Sequence, residues 1–265
     1  MILFNALKSM IPKIIHYTWF SGEPFPEKIQ KCINSWHKYM PQYEYVLWDA
    51  ERIKEIHSVW LKECLAMKKW AYAADLVRLY AVYKYGGIYL DTDCMVYRSF
   101  DNLLSENCFI GKENSIHIEG GIIESYLTSH CFGAEACHPF IKRCLSYYER
   151  PFVISEDDSL PMKLKWNVVL LPFIQSELAE QIGYNPLPSV DSIQRLEGVT
   201  VYPKAYFDLI KMTPNGFCRH LALGGWREKF AVEDKITLGY KIRWRIEAVV
   251  RWFMDKCGYY LIKKR

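Results

Sequence analysis

Trp70-Ala71-Tyr72-Ala73-Ala74-Asp75-Leu76-Val77-Arg78-Leu79-Tyr80-Ala81-Val82-Tyr83-Lys84-Tyr85-Gly86-Gly87-Ile88-Tyr89-Leu90-Asp91-Thr92-Asp93 is the stretch that decides the fold. Its first sixteen residues hold no Gly or Pro, and Ala74, Val77 and Ala81 recur at helical spacing on one stripe. Gly86-Gly87 ends the helix, because glycine accepts the left-handed backbone needed just past a helix terminus. Ile88-Tyr89-Leu90 then reads as a short apolar strand, with Asp91-Thr92-Asp93 at its end and extended chain resuming over Met95-Val96-Tyr97. In open α/β sheets, ligands bind at the carboxyl ends of strands, which is where these two carboxylates fall. Carboxylates at i and i+2 can converge on one hard cation, and Mg²⁺ or Mn²⁺ completes its shell with water and substrate phosphate oxygens. Alone, Asp-x-Asp is equally a turn in which the side chains bond nearby backbone N–H groups. The preceding helix adds context, since Asp75 and Arg78 share a face three residues apart. Asp75 suits sugar hydroxyls; Arg78 suits a sugar hydroxyl, a phosphate or a neighbouring carboxylate. The plainer reading of this pair is a surface ion pair contributing under ~1 kcal/mol.

Working outward, Lys13–Trp19 reads as a buried first strand after Pro12, and a helix from about Glu27 carries Ile29, Ile33 and Trp36 at helical spacing. Pro41 ends it. Tyr43–Trp48 alternates as a second strand, and helical segments follow from about Glu51 to Met67. Short strands are expected near Phe109 and Ile122, and helices over Pro139–Tyr148 and Pro172–Gln181. His16, between apolar neighbours in the first strand, reads as a core histidine. Strands alternating with helices argue for an α/β fold. We find no internal repeat and no low-complexity linker.

The 265 residues suit one α/β domain, or one with a small appendage. With 51% apolar and 24% charged residues, a sizeable core is possible. The 15% of aromatics serve first as core and second as platforms for a base or sugar ring. Nine cysteines at scattered positions, with no zinc-type spacing, read as reduced and mostly buried thiols of a cytoplasmic protein. Met1–Lys8 is too short an apolar run for a signal peptide or span, and no other stretch reaches ~18 uninterrupted apolar residues. Charge is segregated. Residues 235–265 hold nine Lys or Arg against Glu247 and Asp255, a balance of +7, which leaves −3 for the rest of a chain with net charge +4. A nucleic-acid binder would not distribute charge this way, whereas a globular body (1–234) with a basic tail (235–265) would. Ile242, Ile246, Val249, Phe253 and Tyr260 share one helical face in that tail, with Arg and Lys around the rest. This predicts a basic amphipathic helix that docks on the body or lies on an anionic membrane.

The block Ala71-x-x-Ala74-Asp75-x-x-Arg78, Gly86-Gly87-Ile88-Tyr89-x-Asp91-x-Asp93 resembles the signature of the DXD-motif glycosyltransferases of family 32, which includes fungal initiating mannosyltransferases and bacterial capsule and O-antigen enzymes. The catalytic domains of large glucosylating toxins share the pattern. Pro12-Lys13-Ile14-Ile15-His16-x-x-Trp19 and Trp48-Asp49 are similar to the family's opening strands, and His220 and Trp226 to its closing residues. The likeness is dense over 11–101 and patchy beyond. It implies a GT-A fold, a single Rossmann-like domain with a mixed central sheet. It implies a retaining hexosyl transfer from a UDP- or GDP-linked sugar to a saccharide, the bacterial members suggesting a lipid-linked oligosaccharide in capsule, O-antigen or exopolysaccharide synthesis at the inner face of the cell membrane. Carried over, Asp91 and Asp93 bind Mn²⁺ or Mg²⁺ and the diphosphate, with Asp93 the more direct ligand. Asp75 and Arg78 bind the donor sugar, Tyr89 supports the site, Trp19 stacks on the base, and His220 and Trp226 close over the diphosphate. The family often places an Asn before its His-Pro dipeptide; this chain has Ser129-His130 ahead of His138-Pro139, so the acceptor contact expected there is not matched.

Two other classes share part of the pattern. Aspartyl phosphatases use a strand-terminal Asp-x-Asp, but with a small Thr or Val two residues after the second Asp and in the first strand; here Met95 stands there, deep in the chain. A non-catalytic carbohydrate-binding protein would not need Asp75, Arg78 and both acidic residues together. No Gly-x-Ser-x-Gly elbow or phosphate-binding Gly-x-x-x-x-Gly-Lys loop occurs.

Overall fold

A computed structural model describes residues 10–114, 117–119, 122–157, 159, 162–208 and 215–223. In chain order the elements are β1 (Ile14–Thr18), α1 (Glu27–Tyr39), β2 (Glu44–Trp48), α2 (Val59–Ala66), α3 (Trp70–Tyr85), β3 (Gly87–Leu90), β4 (Cys94–Val96), β5 (Cys108–Lys112), β6 (His117–Glu119), β7 (Ile122–Glu124), β8 (Leu127–Ala134), α4 (Pro139–Ser146), α5 (Met162–Lys165), α6 (Leu171–Glu180), β9 (Gln194–Arg195), β10 (Thr200–Tyr202), α7 (Lys204–Phe207) and β11 (Cys218–His220). Seven strands form a mixed sheet in the order β2-β1-β3-β8-β5-β10-β9. β1 runs parallel to β2 and β3, and β5 parallel to β10. β8 lies antiparallel between β3 and β5. This is the mixed α/β architecture expected from the sequence.

Side chains alternate between two cores, as the two-residue period of a strand requires. Tyr89, Ile110 and Phe132 face the layer of α2, α3, α4 and α6, together with Trp60, Leu76 and Val77. Ile88, Leu90, Phe109 and Cys131 face the other layer, with Ile33, Trp36, Phe207 and Phe217. α3 is buried nearly all round through its middle turns, which is how a helix sandwiched between layers reads. His16 belongs to this interior. It donates from Nε2 to Gly86 O (2.8 Å) and accepts at Nδ1 from Trp48 Nε1 (3.2 Å), and burial lowers its pKa to about 4.

Gly86 and Gly87 do what the sequence asked of them, with φ of +66° and +102°. A Cβ on Gly86 would meet Ala136 N and Pro12 Cδ at 2.9 Å, and one on Gly87 would meet Ile14 O at 2.7 Å. Both positions therefore need glycine for space as well as for backbone angle. β3 can then turn straight off the end of α3 and carry Asp91 to the edge of the sheet. Eight described cysteines are free, all but Cys137 buried. No helix among the described residues is long and apolar enough to cross a membrane. Met1–Lys8, Trp226 and the 235–265 helix lie outside the described residues.

Candidate active site

Asp91 leaves the sheet with its backbone N–H bonded to His130 O (2.9 Å), and its own carbonyl accepts from Cys94 N (2.9 Å), closing a tight turn around Thr92. That turn sends Asp93 back toward β4. β11 pairs antiparallel with β4, placing His220 opposite Cys94. The imidazole Nε2 of His220 thereby reaches Asp93 Oδ1 at 3.2 Å and Asp91 Oδ2 at 4.0 Å. The chain then wraps Asp93. Leu221 N donates to its carbonyl (3.0 Å) and Leu223 N to its Oδ2 (2.9 Å), with Ala222 between them in the left-handed region at φ +49°. One backbone N–H thus holds the Asp93 main chain and another its carboxylate.

One ligand atom from each of Asp91, Asp93 and His220 lies within 4.8 Å of the other two, and all three side chains are partly open to solvent. Two carboxylates and an imidazole converging at this spacing fit a divalent cation. Burial opposes the charge of Asp93, but the hydrogen bond and charge of His220 outweigh it and hold the carboxyl below its usual range. Conversely, burial opposes the His220 cation, while Asp93 and then Asp91 raise its pKa above the ordinary value.

Behind Asp91 stands a buried brace. Tyr89 Oη donates to Asp91 Oδ1 (3.0 Å) and lies 3.0 Å from Thr18 Oγ1; burial keeps the phenol pKa well above its usual value. The Arg78 guanidinium sits 4.7 Å from the Tyr89 ring centroid. It donates to Ala74 O (3.3 Å) and Ser129 O (2.6 Å), and Nη2 lies 3.4 Å from both Asp75 Oδ1 and Asp91 Oδ1. Burial works against this charge, yet Asp91, Tyr89 and Asp75 together hold it firmly protonated. The Asp75–Arg78 pair is therefore not a surface ion pair: the two side chains are 6% and 7% exposed. Asp75 Oδ2 accepts from Leu171 N (3.1 Å) at the first turn of α6, a helix whose own N-cap residue supplies no side-chain bond. Asp75 thus caps a distant helix, with its charge at the positive end of that helix dipole. Burial dominates its titration and raises its pKa to about 6.

Trp19 follows β1, its backbone N–H bonded to Trp48 O (3.2 Å). The indole is half-buried, packs on Phe25 at 5.1 Å between centroids, and donates from Nε1 to Glu23 O (2.7 Å). The next residue, Phe20, lines a cavity of about 440 Å³ together with Ala50, Ile53, Ile56, Leu61 and Trp70 among others. The sequence reading did not foresee this cavity, whose walls come from four separate segments. The rings of Phe20 and Trp70 approach each other at 6.3 Å.

Fold and site together define a class: a mixed α/β domain with a strand-terminal carboxylate pair, completed by a histidine, that can present a divalent cation at the sheet's edge. Residues 26–110 match the family model described as the glycosyltransferase sugar-binding region containing DXD motif. It is 32% identical over 143 residues to inositol phosphoceramide mannosyltransferase 3 of Schizosaccharomyces pombe, covering 52% of this chain and 37% of that protein. Mannosyl phosphorylinositol ceramide synthase SUR1 of Saccharomyces cerevisiae is 30% identical over 143 residues, covering 51% and 34%. The chain thus spans little more than a third of the length of these curated relatives. Among solved structures, the PaToxG glycosyltransferase overlaps 65% of this chain and 70% of its own at 18% identity, with a TM-score of 0.44.

Proposed function

We propose that this chain is a metal-dependent glycosyltransferase that moves a hexosyl group, with retention of configuration, from a UDP- or GDP-linked sugar to a lipid-borne saccharide or polyol. The observation that carries the reading is the convergence of Asp91, Asp93 and His220 on one point at the carboxyl end of β3, within a region of the DXD family. In this reading the three side chains hold Mn²⁺ in preference to Mg²⁺, because an imidazole ligand suits the softer ion and Mg²⁺ favours an all-oxygen shell. When bound, the cation neutralises the charge of the departing nucleoside diphosphate.

The remaining roles belong to the chain's own groups. Tyr89 and Arg78 fix Asp91 through the contacts above, so its carboxylate is aimed before donor arrives. The resemblance gives Asp75 and Arg78 a contact with the donor sugar. Both are buried and bonded to the protein, so we assign them first to bracing Asp91, and a sugar contact through Asp75 requires the α6 terminus to give way. We place the base on the Trp19 side, with the Phe20–Trp70 cavity as the apolar wall beside it. The relatives' names speak of inositol phosphoceramide and of mannosyl phosphorylinositol ceramide, which supports an acceptor whose polar head is presented from a lipid. A cytoplasmic location with the 235–265 helix on an anionic membrane face, and closure by Trp226, complete the proposal. The test is a panel of UDP- and GDP-sugars incubated with the full chain with and without Mn²⁺ and read by mass spectrometry. Metal-dependent release of the nucleoside diphosphate from one donor is expected; no metal-dependent turnover of any donor would refute the reading.

A further inference from the structure

Two residues of the central strand β8 touch Arg78, Asp91 and His220 without belonging to the site. Ser129 O accepts from Arg78 Nη1 at 2.6 Å. His130 O accepts from the backbone N–H of Asp91 at 2.9 Å, and the Cys94 thiol reaches the same carbonyl at 3.6 Å. The His130 side chain serves the remaining ligand. Its ring lies parallel to that of His220, with centroids 4.5 Å apart and planes at 19°. His130 is 4% exposed, and its Nε2–H donates to Phe207 O in α7 at 3.1 Å. The ring is thereby locked in one orientation beneath His220.

His220 ends a three-residue strand that pairs with β4 in a two-stranded ribbon, and its side chain is partly open to solvent. A ligating imidazole is ordinarily oriented by a hydrogen bond to its second ring nitrogen. Among the described residues no group bonds Nδ1 of His220, and the stacked ring occupies the face instead.

We infer that His130 is a positioning residue: its ring, pinned by the Phe207 carbonyl, aims Nε2 of His220 at the Asp91–Asp93 pair. The inference rests on the metal reading of the site given above.

The test is Mn²⁺ binding to the full chain without donor, followed by the electron paramagnetic resonance of free Mn²⁺. Removing groups that orient metal ligands typically weakens affinity 10–100-fold, and His130→Ala is expected to fall in that range. His130→Phe keeps a flat ring and gives up only the bond to Phe207 O, so it should recover part of the loss. His130→Ala combined with His220→Ala should bind no more weakly than His220→Ala alone, since the first residue acts through the second. If His130→Ala fails to fold, His130→Leu takes its place with the same expectation. Wild-type affinity in the His130 variants, or a double variant weaker than His220→Ala by the full His130 factor, would overturn the inference and leave the metal site standing. Equal Mn²⁺ binding by the wild type and His220→Ala would instead remove His220 from the metal site, and this role of His130 with it.

Discussion

Arg78→Met tests the brace behind Asp91. The guanidinium is buried, donates to two backbone carbonyls and lies 3.4 Å from two carboxylates. Methionine fills much of the volume but leaves Asp75 buried without its counter-charge and Ser129 O without its donor. Removing one member of a buried ion pair costs about 3–5 kcal/mol, a large share of the ~5–15 kcal/mol that holds a domain folded. With a urea slope near ~3 kcal/mol per M, the midpoint should drop by about 1–1.7 M. The penalty has a pH signature. Burial raises the folded pKa of Asp75 from the ordinary 3.8 to about 6, so its ionisation weakens the fold as pH rises through that range. Without Arg78 the folded pKa rises further, and the weakening continues to higher pH. The stability gap between wild type and Arg78→Met should therefore be widest above pH 7 and narrow as pH falls toward 5, where Asp75 is increasingly protonated in both proteins. Adding Asp75→Asn removes the stranded charge, and the double variant should regain stability over Arg78→Met at pH 8. The assay is urea unfolding followed by tryptophan fluorescence at several pH values. A loss below ~1 kcal/mol at pH 8, the scale of an exposed pair, or a gap that ignores pH, would refute the reasoning.

Four further outcomes follow from the site. Asp93→Asn is expected to cut transfer by ~10²-fold or more, with Asp91→Asn close behind, because a dominant electrostatic stabiliser is lost; steady-state rates with Mn²⁺ decide this, and wild-type rates in metal-stripped Asp93→Asn would sink the metal role. Mn²⁺ affinity should decline as pH is lowered from about 8.5 to 6, since the cation competes with a His220 proton held above its ordinary pKa; titration calorimetry across that range reads it, and a flat profile removes His220 from the ligand set. Trp19→Ala should raise the donor KM roughly tenfold with kcat little changed, given ~1–3 kcal/mol per stacked base and ~1.4 kcal/mol per decade; an unchanged KM in the folded variant makes Trp19 only a packing partner of Phe25. Truncation after Asp234 should abolish sedimentation with anionic liposomes at low salt, where basic residues near such a surface contribute ~1 kcal/mol each; equal sedimentation of both forms would leave the tail without that task.

The sequence alone determined the helix Trp70–Tyr85, its stop at Gly86-Gly87 and the acidic end of β3. Those features are local: a 3.6-residue period, a glycine pair at the helix end, and a short unbroken apolar run before the carboxylates. It also named Asp91, Asp93 and His220, the last through family likeness and not through any local pattern. The tertiary structure alone decided what surrounds them. β8, in the middle of the sheet, gave no alternating signal, because Thr128 and His130 on one face and Ser129 on the other put polar residues on both sides of a strand that is covered on both. Asp75 and Arg78 looked like a pair on a helix surface, and only the packing of β8 and α6 over α3 turned them into a buried brace and a helix cap. The cavity lined by Phe20 and Trp70 draws its walls from segments that meet only in the folded chain. His220 reaches Asp93 because β11 pairs with β4, and His130 reaches His220 because β8 runs beneath that ribbon. Periodicity reports which side of an element is buried. It does not report which distant side chain will lie against it, since that depends on the order of strands in the sheet.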